Sequence, residues 1–117
     1  MSNGMKLLFI VLNKEKHLED VLSILVELGV SGATIIDSMG LGQFLAYEVP
    51  IFAGLRQLMG EEKTPSKTIF ALIDGDKFLS KLEKILKEEG IDFTEPGTGI
   101  IFTVPVNEIV KSEEELT

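Results

Sequence analysis

Two glycine pairs have the spacing to hold an anion: Gly97-Thr98-Gly99, and Gly40-Leu41-Gly42 with Gln43 directly after it. Glycine lets backbone N–H groups approach a phosphate because no Cβ stands in the way, and it tolerates the φ > 0 that tight turns need. A phosphate cradle and a plain turn beside a strand are therefore both open at each pair. Other chemistry is thinly provided. The chain has no cysteine, which removes disulfides and thiolate chemistry. His17 is its one histidine and stands among Glu15, Glu19 and Asp20, as solvated surface residues do. A lone histidine leaves most acid–base triads and paired-histidine metal sites unbuilt. Asp74-Gly75-Asp76 lacks the remaining ligands of a calcium loop and reads as helix capping. Lys63 and Lys67 flank Thr64-Pro65-Ser66, where either could meet a phosphate or simply aid solubility. Glu113 to Glu115 reads as a solvated tail. No residue is assigned a catalytic or metal-ligating role, no cofactor is required, and the chain is not expected to be an enzyme.

The elements that position the glycines follow from periodicity. Leu7 to Leu12 is a continuous apolar run, expected as a strand buried on both faces. Asn13 can cap the helix behind it, where Leu18, Val21, Leu22, Leu25 and Leu28 share one face and Gly29 ends the run. Strands are expected over Ala33–Met39, Thr68–Ile73 and Ile100–Val106. A second helix, capped by Asp74 or Asp76, carries Phe78, Leu79, Leu82, Ile85 and Leu86 on one side and lysines on the other, and stops at Gly90. Asn107 is a possible start for a short terminal helix. The interval from Leu7 to Gly29 equals that from Thr68 to Gly90, 22 residues each. The two halves thus repeat β-α-β, the ferredoxin-like split βαβ plan. The expected fold is α+β, ferredoxin-like βαββαβ: a four-stranded antiparallel sheet of order 4-1-3-2 with two helices on one face. In that plan the two glycine pairs lie at the same end of the sheet on opposite edges, about 14 Å apart.

The 117 residues suit one domain, 1–117, with a loop insert at about 40–66 and a tail at about 107–117. The net charge of −8 repels nucleic acid and anionic lipid headgroups. The apolar run at Leu7 to Leu12 is far short of the roughly 20 residues of a membrane span, so a cytoplasmic location is the default expectation. Strands two and four are apolar sheet edges, which a closed oligomer would cover.

Gly29-Val-Ser-Gly-Ala-Thr-Ile-Ile-Asp-Ser-Met-Gly-Leu-Gly-Gln43 resembles the end of helix one, strand two and the loop base of the PII signalling proteins, the nitrogen-regulation family, with its Gly-x-Thr strand and G-F-G-type turn before a glutamine. Gly97-Thr-Gly-Ile-Ile-Phe-Thr-Val-Pro-Val106 resembles the family's G-D-G-K-I-F-V-x-P-V segment. The resemblance covers about residues 5 to 111. It implies a homotrimer that binds adenine nucleotides in clefts between subunits and touches target proteins through the loop after strand two. On that resemblance Thr34 meets the base, Gly40, Gly42 and Gln43 line the cleft from the loop side, and the N–H groups of Gly97, Thr98 and Gly99 face phosphate oxygens.

The chain departs from the family pattern where charge matters. Ile100 stands in place of a lysine, and Lys111-Ser-Glu-Glu-Glu115 in place of an arginine pair. Among AMP, ADP, ATP and cyclic dinucleotides, these positions suit the ligands with fewer charges. The loop departs too. Eleven of the sixteen residues from Phe44 to Met59 are apolar, and the neighbours of Tyr47 do not match the family's modification site. Pro50 can open a short helix with Ile51, Leu55, Leu58 and Met59 on one side. Phe44, Tyr47, Ile51, Phe52 and Leu55 are then the partner-facing residues, packed either on the chain's own oligomer or on a target, a membrane transporter being one candidate. The leading expectation is a trimeric sensor of a small ligand that regulates a partner. The alternatives are a trimer of the same fold that binds no ligand, and a metal-tolerance-type trimer.

Overall fold

The computed structural model describes residues 4–56 and 65–114. Four strands, β1 (Met5–Leu12), β2 (Thr34–Ser38), β3 (Ser66–Asp74) and β4 (Gly99–Pro105), form one antiparallel sheet of order β2-β3-β1-β4. Helices α1 (Leu18–Glu27) and α3 (Phe78–Glu88) cover one face of it, with α2 (Leu41–Glu48) between β2 and β3. The fold is the expected α+β, ferredoxin-type plan in the expected strand order.

Alternation decides which side chains meet the helices. Leu8, Ile10 and Leu12 of β1 and Ile69, Ala71 and Ile73 of β3 are buried, and most of them join Val21, Ile24 and Leu25 of α1 and Phe78, Leu82 and Leu86 of α3 in one core. The buried residues of α3 recur every fourth position, as a helical stripe should. Both covering helices stop in the same way. Gly29 and Gly90 take φ of 90° and 82°, and the next residue reaches back five positions, Val30 N–H to Leu25 O at 3.0 Å and Ile91 N–H to Leu86 O at 2.8 Å. This is the Schellman stop, in which a left-handed glycine lets the chain satisfy carbonyls the helix leaves open.

Among the described residues, neither α1 nor α3 covers the other face of the sheet. Leu7, Phe9 and Val11 are half-buried there, so β1 is not buried on both faces within this chain. Phe9 stacks on Phe102 with centroids 5.0 Å apart and tilts against Phe70 at 6.1 Å. Ile36, Ile100, Phe102 and Val104 complete an exposed apolar surface. The continuous apolar run is real; its second face has no cover among the described residues.

Several local expectations change. Asn13 caps no helix: a 3-10 turn, Glu15–His17, precedes α1, and the N–H of Asn13 bonds to Thr98 O at 3.0 Å. Neither Asp74 nor Asp76 caps α3. Lys77 holds that position without a side-chain bond, because β3 runs through Asp74 and a turn intervenes. No helix starts at Asn107; residues 106–112 are irregular, and Val106 N–H bonds to Met5 O at 3.1 Å as a continuation of the β1 edge. The turn expected at Gly40–Gln43 is instead the first turn of α2. Gly40 is extended at φ −70° and ψ 154°, and its carbonyl takes Phe44 N–H at 3.0 Å. Leu, Gln, Phe and Ala at 41 to 46 favour a helix over a turn once β2 ends.

Candidate functional site

Strand register sets where the two glycine pairs fall. One row across the sheet reads Asp37, Lys67, Leu12, Gly99. The end of β2 and the start of β4 therefore share one end of the sheet on opposite edges, with β3 and β1 between them. Gly40 follows two residues beyond Ser38, so the glycine-bearing segments sit at this end as the topology requires. Thr34 lies at the far end of β2, opposite Phe70.

At the β4 edge, residues 92 to 98 organise themselves. The Asp92 carboxylate accepts Thr94 N–H at 2.8 Å and the Thr94 hydroxyl at 2.6 Å. These two bonds, with help from Lys87, hold the Asp92 carboxyl below its usual range. Gly97 turns the chain at φ 86°, and Thr98 is buried with its carbonyl tied to Asn13. Gly99 enters the ladder opposite Leu12 at φ 140°, where a Cβ would fall on the Val11 carbonyl. Local structure alone thus requires glycine at 99 and favours it at 97, whatever else these residues do. Beside them a shallow cavity of about 260 Å³ is lined by Leu79, Glu83, Phe93, Thr94, Gly99, Ile100 and Ile101, and no residue of β2 or α2 reaches it.

At the β2 edge, Gly40 and Gly42 do not use φ > 0, and Gly42 and Gln43 belong to the first turn of α2. Two polar ties fasten the end of β2. On the open face Ser38 Oγ bonds to Ser66 Oγ at 2.7 Å and accepts the Thr68 hydroxyl at 2.8 Å. On the helix face Lys67 donates to Asp37 and stands 3.6 Å from Glu15 of the 3-10 turn. Residues 41 to 56 then fold as α2, a 3-10 turn at Pro50–Phe52, and a return of the chain. Arg56 Nε donates to Ala46 O at 2.8 Å and its guanidinium lies 5.0 Å over the Tyr47 ring. Ala46 is buried, while Leu41 and Ile51 are 74% and 84% exposed and Phe44 and Phe52 are also exposed; Tyr47 and Leu55 are half-buried. The readings of Leu58, Met59, Lys63 and Glu115 fall outside the described residues.

The sequence reading missed the two polar ties. Lys67 and Asp37 lie 30 positions apart, and only strand register brings them together; the consecutive polar residues at the strand ends, Asp37-Ser38 and Ser66-Lys67-Thr68, were the available signal. Among the described residues no group of three acidic or histidine side chains is placed to hold a metal ion, and no helix is long and apolar enough to cross a membrane.

The model of the nitrogen regulatory protein P-II family matches residues 5–115, nearly the whole chain. This chain belongs to the P-II family. Proteins of this family are regulatory, non-enzymatic signal proteins, typically trimers that act on partner proteins, and the chain is a PII-like signalling protein. Among solved structures it is similar to Arabidopsis thaliana PII bound to citrate, at 19% identity and TM-score 0.62, covering 96% of this chain and 86% of that one. It is also similar to a functionally unknown protein from Pediococcus pentosaceus ATCC 25745, at 14% identity and TM-score 0.58, covering 95% and 100%. At these identities the likeness shows the shared fold. A comparison with curated proteins finds no match.

Proposed function

We propose that this P-II protein is a homotrimeric sensor that takes a small, weakly charged adenine ligand in clefts between subunits and regulates a partner through residues 40–56. One observation carries the reading: Gly40–Gln43 and Gly97–Gly99 lie at one end of the sheet but on opposite edges, so a ligand touching both kinds of wall is best placed between two copies. The uncovered apolar face around Phe9, Phe70 and Phe102 supplies the reason for copies to associate. Thr34, Gly40, Gly42 and Gln43 would come from one subunit and the backbone of Gly97, Thr98 and Gly99 from its neighbour. Because Thr98 is buried, its contribution would be main-chain only.

Charge selects the ligand class. Lys67, in the row between the two edges, is engaged by two carboxylates, and Ile100 brings no cation. AMP or a cyclic dinucleotide fits such a cleft better than ADP or ATP. The exposed Leu41, Phe44, Ile51 and Phe52 suit an apolar groove on a target, with a membrane transporter as one candidate.

A second reading, the trimer that binds no ligand, is favoured by the local need for Gly97 and Gly99, which leaves their presence explained without an anion. Light scattering together with calorimetric titration of AMP, ADP, ATP, cyclic di-AMP, citrate and 2-oxoglutarate tests both. A trimer binding AMP or the cyclic dinucleotide supports the sensor. A trimer silent to all six supports the second reading, and a monomer at micromolar concentration overturns both.

A further inference from the structure

The last two residues of β2 are held by side-chain polar contacts on both faces of the sheet. Ser38 bonds to Ser66 and Thr68 on the open face. On the helix face Asp37 receives the Lys67 ammonium, and Glu15 approaches the same nitrogen at 3.6 Å from the turn before α1. β2 is a five-residue edge strand whose Ile35 and Ile36 are exposed, so it has little apolar packing of its own. Three residues after Ser38, α2 begins.

We infer that Glu15, Lys67 and Asp37 form an ionic latch, sensitive to competing electrolyte, that holds the end of β2 and thereby the attachment point of the 41–56 segment. The hydroxyl tie is indifferent to salt, whereas the ionic one is not. The Lys67 side chain is mostly covered at 18% exposure, but Asp37 is 81% exposed, so dissolved ions reach the pair from the Asp37 side. The three charges come from three different elements, and breaking either contact frees β2 from the turn that precedes α1. The Lys67 ammonium is held above its ordinary range chiefly by the hydrogen bond to Asp37, so it stays charged at neutral pH. That residues 41–56 are an output segment rests on the function proposed above; the latch itself is tested without ligand or partner.

The test is hydrogen exchange across residues 37–48, in 20 mM and 500 mM NaCl, for the wild type, Asp37→Asn and Lys67→Met. In the wild type, exchange here is expected to quicken about threefold in high salt, the size of a partly exposed ion pair. Asp37→Asn, at an exposed position that leaves the core untouched, is expected to exchange fast at both salt concentrations. Lys67→Met is expected to match it. Equal protection of Asp37→Asn and wild type in low salt, or a salt response that persists in Asp37→Asn, overturns the latch.

Discussion

A Cβ placed on Gly99 lies 1.9 Å from the carbonyl oxygen of Val11, so β4 meets β1 at a separation only glycine permits. The strand partner of Gly99 is Leu12, the residue after that carbonyl, and the approach belongs to the first rung of the ladder. Glycine at this position is a condition of the sheet before it is a condition of any ligand site.

Gly99→Ala is therefore expected to destabilise the ligand-free protein by about 2 kcal/mol, through the contact with backbone and the strained φ. Gly97→Ala, whose Cβ meets nothing within 4 Å, is expected to lose about 1 kcal/mol from its positive φ alone. Urea unfolding of both variants measures this. A Gly99→Ala protein as stable as Gly97→Ala would show that β4 shifts to admit the methyl group.

Phe102→Glu places a charge on the uncovered sheet face beside Phe9. Burying an unpaired carboxylate in an oligomer core costs several kcal/mol, whereas the exposed side chain of a lone subunit carries it freely. Light scattering is expected to report a monomer with an unchanged far-ultraviolet circular dichroism spectrum. With the wild type as the proposed trimer, a variant that stays trimeric would place the contact surface elsewhere.

The Asp92 carboxyl, lowered from 3.8 by the Thr94 hydroxyl and amide, is a depressed acid. Such a group contributes stability that is present above its unfolded value and lost as pH falls through its folded value. The amide resonance of Thr94 is expected to titrate with a midpoint below 3.8, and Thr94→Val is expected to raise that midpoint. Nuclear magnetic resonance between pH 2 and 6 follows both; a midpoint unchanged by Thr94→Val would assign the shift to another cause.

Arg56 closes the last turn of α2 through Ala46 O and Tyr47 O and covers the Tyr47 ring. Arg56→Ala is expected to speed exchange of the amides at 45–48 about threefold, the scale of an exposed cation–π contact, and to leave β1 and β3 unchanged. Unaltered exchange would show that α2 stands without it.

The fold was readable because its signals are local. The stripe at Phe78, Leu82 and Leu86, the stops at Gly29 and Gly90, and the continuous apolar run of β1 each need only neighbouring residues to be seen, and the equal spacing of the halves supplied the topology. The polar detail was not local. Asn13, Asp74 and Asp76 have capping side chains, yet register and an intervening 3-10 turn place them elsewhere. Gly40 and Gly42 looked like a turn because two glycines outweighed the helix-forming residues around them. The row joining Asp37 to Gly99 was legible in outline from the strand order, but which side chains close upon one another along it was not.

The turn after β1 grips both neighbours of that strand by different means. Asn13 holds β4 through its main-chain N–H to Thr98, and Glu15, two residues on, holds β3 through its carboxylate to Lys67. For the grip on β4, position 13 is thus open to drift: every residue type except proline carries the donor that Thr98 uses. Position 15 has less freedom, since only an acidic side chain can pair its charge with the ammonium. Adjacent stretches of one turn thus answer to unlike constraints, one set by the backbone and one by the side chain.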